Sequence, residues 1–261
     1  MRLIRSLVGM VVLAVAFNAC FKAPEFPVIP EITFNDIAFK DVPGSASADT
    51  LILTINFKDG DGDLGLGDAE TDYISDGGQA YPVMDKLYFK LDGTPVYFPA
   101  GSTVANDGSL MSYKTKRTTN DTLPAFITPY NCANWEVLTD GTTGKATDTL
   151  YFQLNPNHYN IFVDFYIKQQ DNSFALFDWK KEFIYPNCQV NGFYGRFPIL
   201  SKDLSQNTAQ EGTIRYSMKS VGFLIFFSIK VLKLKISIQD RKLQRSNIIE
   251  SPEFTLQSIR K

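Results

Sequence analysis

The sequence predicts an all-β protein, an antiparallel β-sandwich carrying a long β-rich insertion. Three observations predict it. In DTLILTINF, Leu51, Leu53, Ile55 and Phe57 alternate with Ile52, Thr54 and Asn56, and a period of two puts one set on a buried face of a pleated strand. Aromatic residues are plentiful (Phe 21, Tyr 12) and lie with Val, Ile and Thr in such short runs, a composition suited to half-buried pleated surfaces. No long stretch shows helical periodicity with caps.

The chain opens with MRLIRSLVGMVVLAVAFNAC. Arg2 and Arg5 precede an apolar run from Leu7 to Phe17 that is too short to span a bilayer, which is the pattern of a secretory signal over residues 1–19. Ala19 and Cys20 end the run as a bacterial lipobox does, so Cys20 is expected to carry the lipid that anchors the protein to a membrane. The competing reading is an ordinary signal peptide with a chance cysteine. Pro24, Pro27 and Pro30 then make residues 20–30 a semi-rigid tether, because proline cannot continue a helix.

From residue 31 onward the strands follow in order. They are expected near Ile32 to Phe39, Leu51 to Phe57, Ile161 to Gln169, Ala175 to Phe183, Thr213 to Met218, Leu232 to Ile238 and Glu253 to Leu256. In VLKLKISIQD, lysines 233 and 235 oppose Leu232, Leu234, Ile236 and Ile238, so one face is solvated. VGFLIFFSI, Val221 to Ile229, reads as a buried strand or packed loop. Residues from about 74 to 148 form the insertion, with its own hairpin KLYFKLDGTPVYF turning at Asp92 and Gly93. A structureless loop of that length is improbable. The rival partition is two successive sandwiches meeting near Asp140 to Lys145.

Composition narrows the function. A net charge of −2 excludes a strong electrostatic pull on nucleic acid. With Cys20 lipidated, Cys132 and Cys188 are an exported even pair, expected to form a disulfide between two turn-like loops and to stabilise the fold by ~2–4 kcal/mol. The one histidine, His158, has no second ligand beside it. There is no Gly-x-Ser-x-Gly elbow, no His-Glu-x-x-His and no phosphate loop. Asp164 and Asp171 form at most an imagined glycosidase pair on strand and turn positions. A non-catalytic protein is therefore expected.

The chemistry gathers in NFKDGDGDLGLGDAE. Asp59, Asp61 and Asp63 are separated by Gly60 and Gly62, whose conformational freedom lets the carboxylates converge. No lysine or arginine lies between Asp59 and Glu70, and a hard cation would relieve the repulsion. Counted as a calcium loop, Asp59, Asp61 and Asp63 fall at positions one, three and five, the Gly65 carbonyl at seven and Glu70 at twelve. Leu64 stands where that loop requires glycine, and a strand precedes it instead of a helix. Calcium suits a flexible multi-carboxylate loop better than magnesium does. The bland alternative is an acidic turn, with Asp68 and Asp72 as further solvated carboxylates.

In an immunoglobulin-like sandwich the turn after the second strand and the turn before the last lie at one end. QDRKLQRSN, Gln239 to Asn247, is expected to meet the acidic loop there. Asp240 would add an oxygen, or Arg241 and Arg245 would pair with surplus carboxylates.

The combination of FNAC, DTLILTINFKDGDGDLGL, NGFYGRFPIL, EGTIRYSM and IQDRKLQRSNIIESPEFTL resembles uncharacterised lipoproteins of the Bacteroidetes lineage. The resemblance covers most of the mature chain but not the insertion. It implies an outer-membrane lipoprotein with an immunoglobulin-like fold. FKAPEF after Cys20 lacks the acidic cluster that marks surface export in some of these bacteria.

The function expected is that of a calcium-stabilised, lipid-anchored envelope module binding a protein or glycan, with Tyr73, Tyr81 or Trp135 as candidate contact aromatics. The alternatives are a metal-free accessory subunit of an envelope complex and, less favoured, a glycan-acting enzyme.

Overall fold

The computed structural model describes residues 25–42, 48–67, 72–74, 80–98, 104–115, 135–179, 192–201 and 204–261. The signal segment, Cys20, Glu70, Cys132 and Cys188 lie outside these residues.

The sandwich has two antiparallel sheets. The first contains β1 (Glu31–Lys40), β2 (Asp49–Asp59) and β11 (Gln210–Ser220) in the order β1-β2-β11. The second contains β9 (Ile161–Lys168), β10 (Phe174–Leu176), β12 (Leu232–Ile238) and β13 (Ile249–Glu250) in the order β10-β9-β12-β13. The chain crosses between the sheets from β2 to β9, from β10 to β11 and from β11 to β12, the immunoglobulin-like connectivity. Period-two alternation sends Leu51, Leu53 and Ile55 from β2 into the interior, where all are fully buried. They meet Ile161, Val163 and Phe165 of β9 and Leu232, Leu234 and Ile236 of β12 in one core. On the outer face, Lys233 and Lys235 both reach Glu250, at 3.1 and 3.3 Å. The outward set of the alternation thus pairs charges across the strands, as expected of a solvated face.

Three expected elements differ in detail. Residues 253–256 do not form the last regular strand. β13 pairs with β12 at Ile249 and Glu250, and Phe254 rejoins the ladder only as an isolated bridge to Leu232. Pro252 between them has no N–H to donate. The expected strand from Ala175 shortens to β10, and its residues from 180 onward lie outside the described set. The run from Val221 is neither a strand nor fully packed. It forms one helical turn, α1 (Phe223–Phe227), whose spacing of four buries Phe223 and Phe227, whereas Ile225 and Ile229 are 74 % and 87 % exposed.

The insertion between β2 and β9 is β-rich. A small hairpin pairs β3 (Asp72–Ile74) with β4 (Ala80–Pro82). A separate sheet joins β5 (Lys86–Phe89), β6 (Pro95–Val96), β7 (Trp135–Thr139) and β8 (Ala146–Leu154) in the order β6-β5-β8-β7. The Asp92–Gly93 turn closes β5 onto β6, with Gly93 at φ +87°, a conformation glycine adopts without steric cost. β8 alternates too, so Leu150 and Phe152 pack with Tyr88 and Leu110 on one face, and Tyr151 packs with Trp135 and Met111 on the other. Asp140 to Lys145 is the tight turn of the β7–β8 hairpin, closed by Asp140 N to Lys145 O at 2.9 Å. β8 continues to Leu154.

Candidate metal centre

β2 delivers the first carboxylate. Asp59 is its last residue and shares the inward face with Leu51, Leu53, Ile55 and Phe57, so the alternation that builds the core also carries a carboxylate to the core's end. Asp59 is 0 % exposed, and Asp61 and Asp63 are 9 % and 8 % exposed. One oxygen from each of the three lies within 4.8 Å of the others. Oxygens on opposite sides of a calcium ion are about 4.8 Å apart, twice a typical Ca–O distance. At that separation each pair of carboxylates repels by about 3.5 kcal/mol at an effective dielectric near 20.

The glycines between them serve a purpose the sequence reading only half anticipated. Gly62 has φ +70° and does turn the chain. Gly60 and Gly65 are needed for close approach as well. A Cβ on Gly60 would sit 2.4 Å from Phe26 O, one on Gly62 2.3 Å from Thr208 O, and one on Gly65 2.2 Å from Pro198 O. The loop is thus held by backbone from three other segments. Gly60 N donates to Pro27 O at 2.8 Å, Leu200 N to Leu64 O at 3.1 Å and Leu66 N to Phe197 O at 3.1 Å. The last strap comes from NGFYGRFPIL. Its Phe197 is fixed by Asn160, whose Oδ1 accepts from Phe197 N at 2.8 Å and whose Nδ2 donates to Phe197 O at 2.9 Å.

Leu64 is fully buried in the main core and Leu66 packs on Val83, so the segment leaving the acidic turn is anchored to the fold as far as Gly67, where the described residues pause before Glu70. The Gly65 carbonyl accepts from Arg241 Nη1 at 3.2 Å.

A further carboxylate, Asp240 in the turn after β12, lies outside this group of three but near enough to feel the charges of Asp61 and Asp63. Asp240 is 4 % exposed. Its Oδ1 accepts from Gln244 N at 2.7 Å, which closes the turn, and its buried Oδ2 has no hydrogen-bond donor. Both oxygens of Asp59 and Oδ1 of Asp61 are likewise buried without a donor. Burial pushes the Asp59 carboxyl up to about 7, helped by the charges of Asp63 and Asp61. Burial also raises Asp240 to about 7, with Asp63 and Asp61 adding to it. Carboxylates in this state are short of positive charge, and each orphaned buried acceptor costs roughly 1–3 kcal/mol.

Of the two arginines considered beside Asp240, Arg245 turns away. Its guanidinium lies 3.3 Å over the Phe162 ring and its Nε donates to Gln239 Oε1 at 2.8 Å. Lys242, which the sequence reading did not single out, donates to Asp61 Oδ2 at 2.7 Å. Nothing in the order of residues ties it to Asp61, 181 positions away.

The other sequence candidates fall elsewhere. Trp135 is 0 % exposed and packs on Tyr151, so it is no contact residue. Tyr73 and Tyr81 are register partners in the β3–β4 ladder. Asp164 accepts from Tyr194 Oη at 2.7 Å, and Asp171 accepts from Ser173 in its own turn, so each engages a separate partner. His158 Nδ1 lies 2.9 Å from Val83 O, where it ties the sandwich to the insertion. No protein-family model, curated protein or solved structure matches the chain.

Proposed function

We propose that this chain is a non-catalytic, lipid-anchored envelope module whose Asp59, Asp61, Asp63 and Asp240 hold a calcium ion at one end of an immunoglobulin-like sandwich. The observation that carries the reading is Asp59, a fully buried carboxylate with no donor to either oxygen. Two neighbouring aspartates place one oxygen each within coordination range of it. A divalent ion would satisfy these acceptors at once and bind the end of β2 to the turn after β12.

Its role follows from where the ion would sit. Phe26 and Pro27 lie beside the loop, with Pro27 O on Gly60 N and the Phe26 ring beneath Lys58 at 5.4 Å. With an acylated Cys20, the seven-residue step to Pro27 would reach at most ~25 Å, so the cation end would lie close to the anchoring membrane. The opposite pole would then be presented to a protein or glycan partner. In this reading the ion acts structurally, stiffening the junction between tether and module.

Isothermal titration of the metal-stripped protein with calcium tests the reading, together with its melting temperature. Binding at micromolar to millimolar concentration with a raised melting temperature is expected, because a ligand of the folded state alone must stabilise it. Absence of heat and of any shift at millimolar calcium rejects the site.

A further inference from the structure

Four carboxylates, Asp59, Asp61, Asp63 and Asp240, gather at this end of the fold. Arg241 and Arg196 donate to the Gly65 and Gly67 carbonyls of the same loop. Lys242 touches the cluster itself, with Nζ 2.7 Å from Asp61 Oδ2, and Asp61 keeps Oδ1 buried and without a donor. One oxygen of Asp61 is therefore held by the ammonium and the other is available to an ion.

Resting on the reading of this cluster as a cation site, we propose that Lys242 sets the charge of the ion the site accepts. Its ammonium offsets one of the four carboxylates and so lowers the positive charge that a bound ion must bring. It also orients Asp61 by holding Oδ2. The two roles separate by ion charge. Repulsion between the ammonium and the bound ion scales with the ion's valence, so removing it favours a trivalent ion over a divalent one by one further unit of interaction. Across a few ångströms of partly solvated protein, that unit is worth roughly tenfold in affinity. Lost orientation of Asp61 would weaken both ions alike.

The test is calorimetric titration of the intact protein with calcium and with terbium, on wild type, Lys242→Met and Lys242→Arg. By repulsion alone, Lys242→Met is expected to bind calcium about a hundredfold and terbium about a thousandfold more tightly, and any lost orientation of Asp61 lowers both alike, so the ratio moves about tenfold toward the trivalent ion. Lys242→Arg keeps the wild-type ratio. An unchanged ratio in Lys242→Met overturns the assignment, whatever happens to the separate affinities. Circular dichroism checks the fold, and Lys242→Gln replaces the methionine variant if that one does not fold. Wild type binding neither ion rejects the cation site itself and the role of Lys242 with it. Wild type binding both, with an unmoved ratio in the variant, rejects the role of Lys242 alone.

Discussion

Replacing Asp59 by asparagine should stabilise the metal-free protein and abolish its response to calcium. The Asp59 carboxyl is raised from the ordinary 3.8 to about 7, first by burial and then by the charges of Asp63 and Asp61. Three units correspond to about 4 kcal/mol of penalty on the ionised folded state. Between about pH 4 and pH 7 the folded state binds the proton that the unfolded state has released. Metal-free stability therefore falls as pH rises through that window and stays low above it. Asparagine removes the charge but buries an amide without a partner, at roughly 1–3 kcal/mol. At pH 8 in EDTA the net gain should be about 1–3 kcal/mol, or roughly 5 °C in melting temperature for a fold of this size. In calcium the order reverses: wild type rises, and Asp59→Asn does not. Differential scanning fluorimetry at pH 5 and pH 8, each in EDTA and in calcium, gives all four comparisons. The reasoning is refuted if Asp59→Asn melts below wild type in EDTA at pH 8, or if calcium raises both equally.

Other expectations follow from the packing around the loop. Leu64→Ala opens a cavity in the main core, where Leu64 is fully buried, and should cost about 2–5 kcal/mol in urea unfolding. It should also weaken calcium binding, because Leu64 anchors the segment that leaves Asp63. Gly62→Ala combines φ +70° with a Cβ 2.3 Å from Thr208 O and should cost at least ~1–3 kcal/mol by the same measurement. Asn160→Ala leaves the buried N–H of Phe197 without its acceptor, while the Phe197 carbonyl keeps Leu66 N; a loss of ~1–3 kcal/mol is expected, read as a lower urea midpoint. Cys20→Ala should move the protein from the membrane fraction to the soluble fraction of its host, measured by fractionation and immunoblot.

Much of the sandwich is legible in the sequence because a strand writes its burial into its own residues at every second position. β2, β9 and β12 follow that rule through Leu53, Val163 and Leu234, and their bounds lie close to those the alternation predicts. The rule fails where burial is partial or the run is short. Val221 to Ile229 is apolar but for Ser228, so no period distinguishes strand from helix, and its helical turn emerges only because Phe223 and Phe227 find the core together. The three aspartates are equally plain, since their spacing alone brings them near one another.

What completes the candidate site is written nowhere in the local order of residues. Asp240 brings its charge near the cluster because β2 and β12 end at the same pole of the two sheets, and topology made that approach foreseeable. The Lys242 contact with Asp61, the Arg241 claim on the Gly65 carbonyl and the straps from Pro27, Phe197 and Leu200 depend on how distant segments pack. The sequence by itself determined a two-sided pleated fold and a local crowd of carboxylates, because both arise from neighbours along the chain. The tertiary structure alone decided which charges face that crowd and how firmly it is held, because those forces act between residues that only folding brings within a few ångströms.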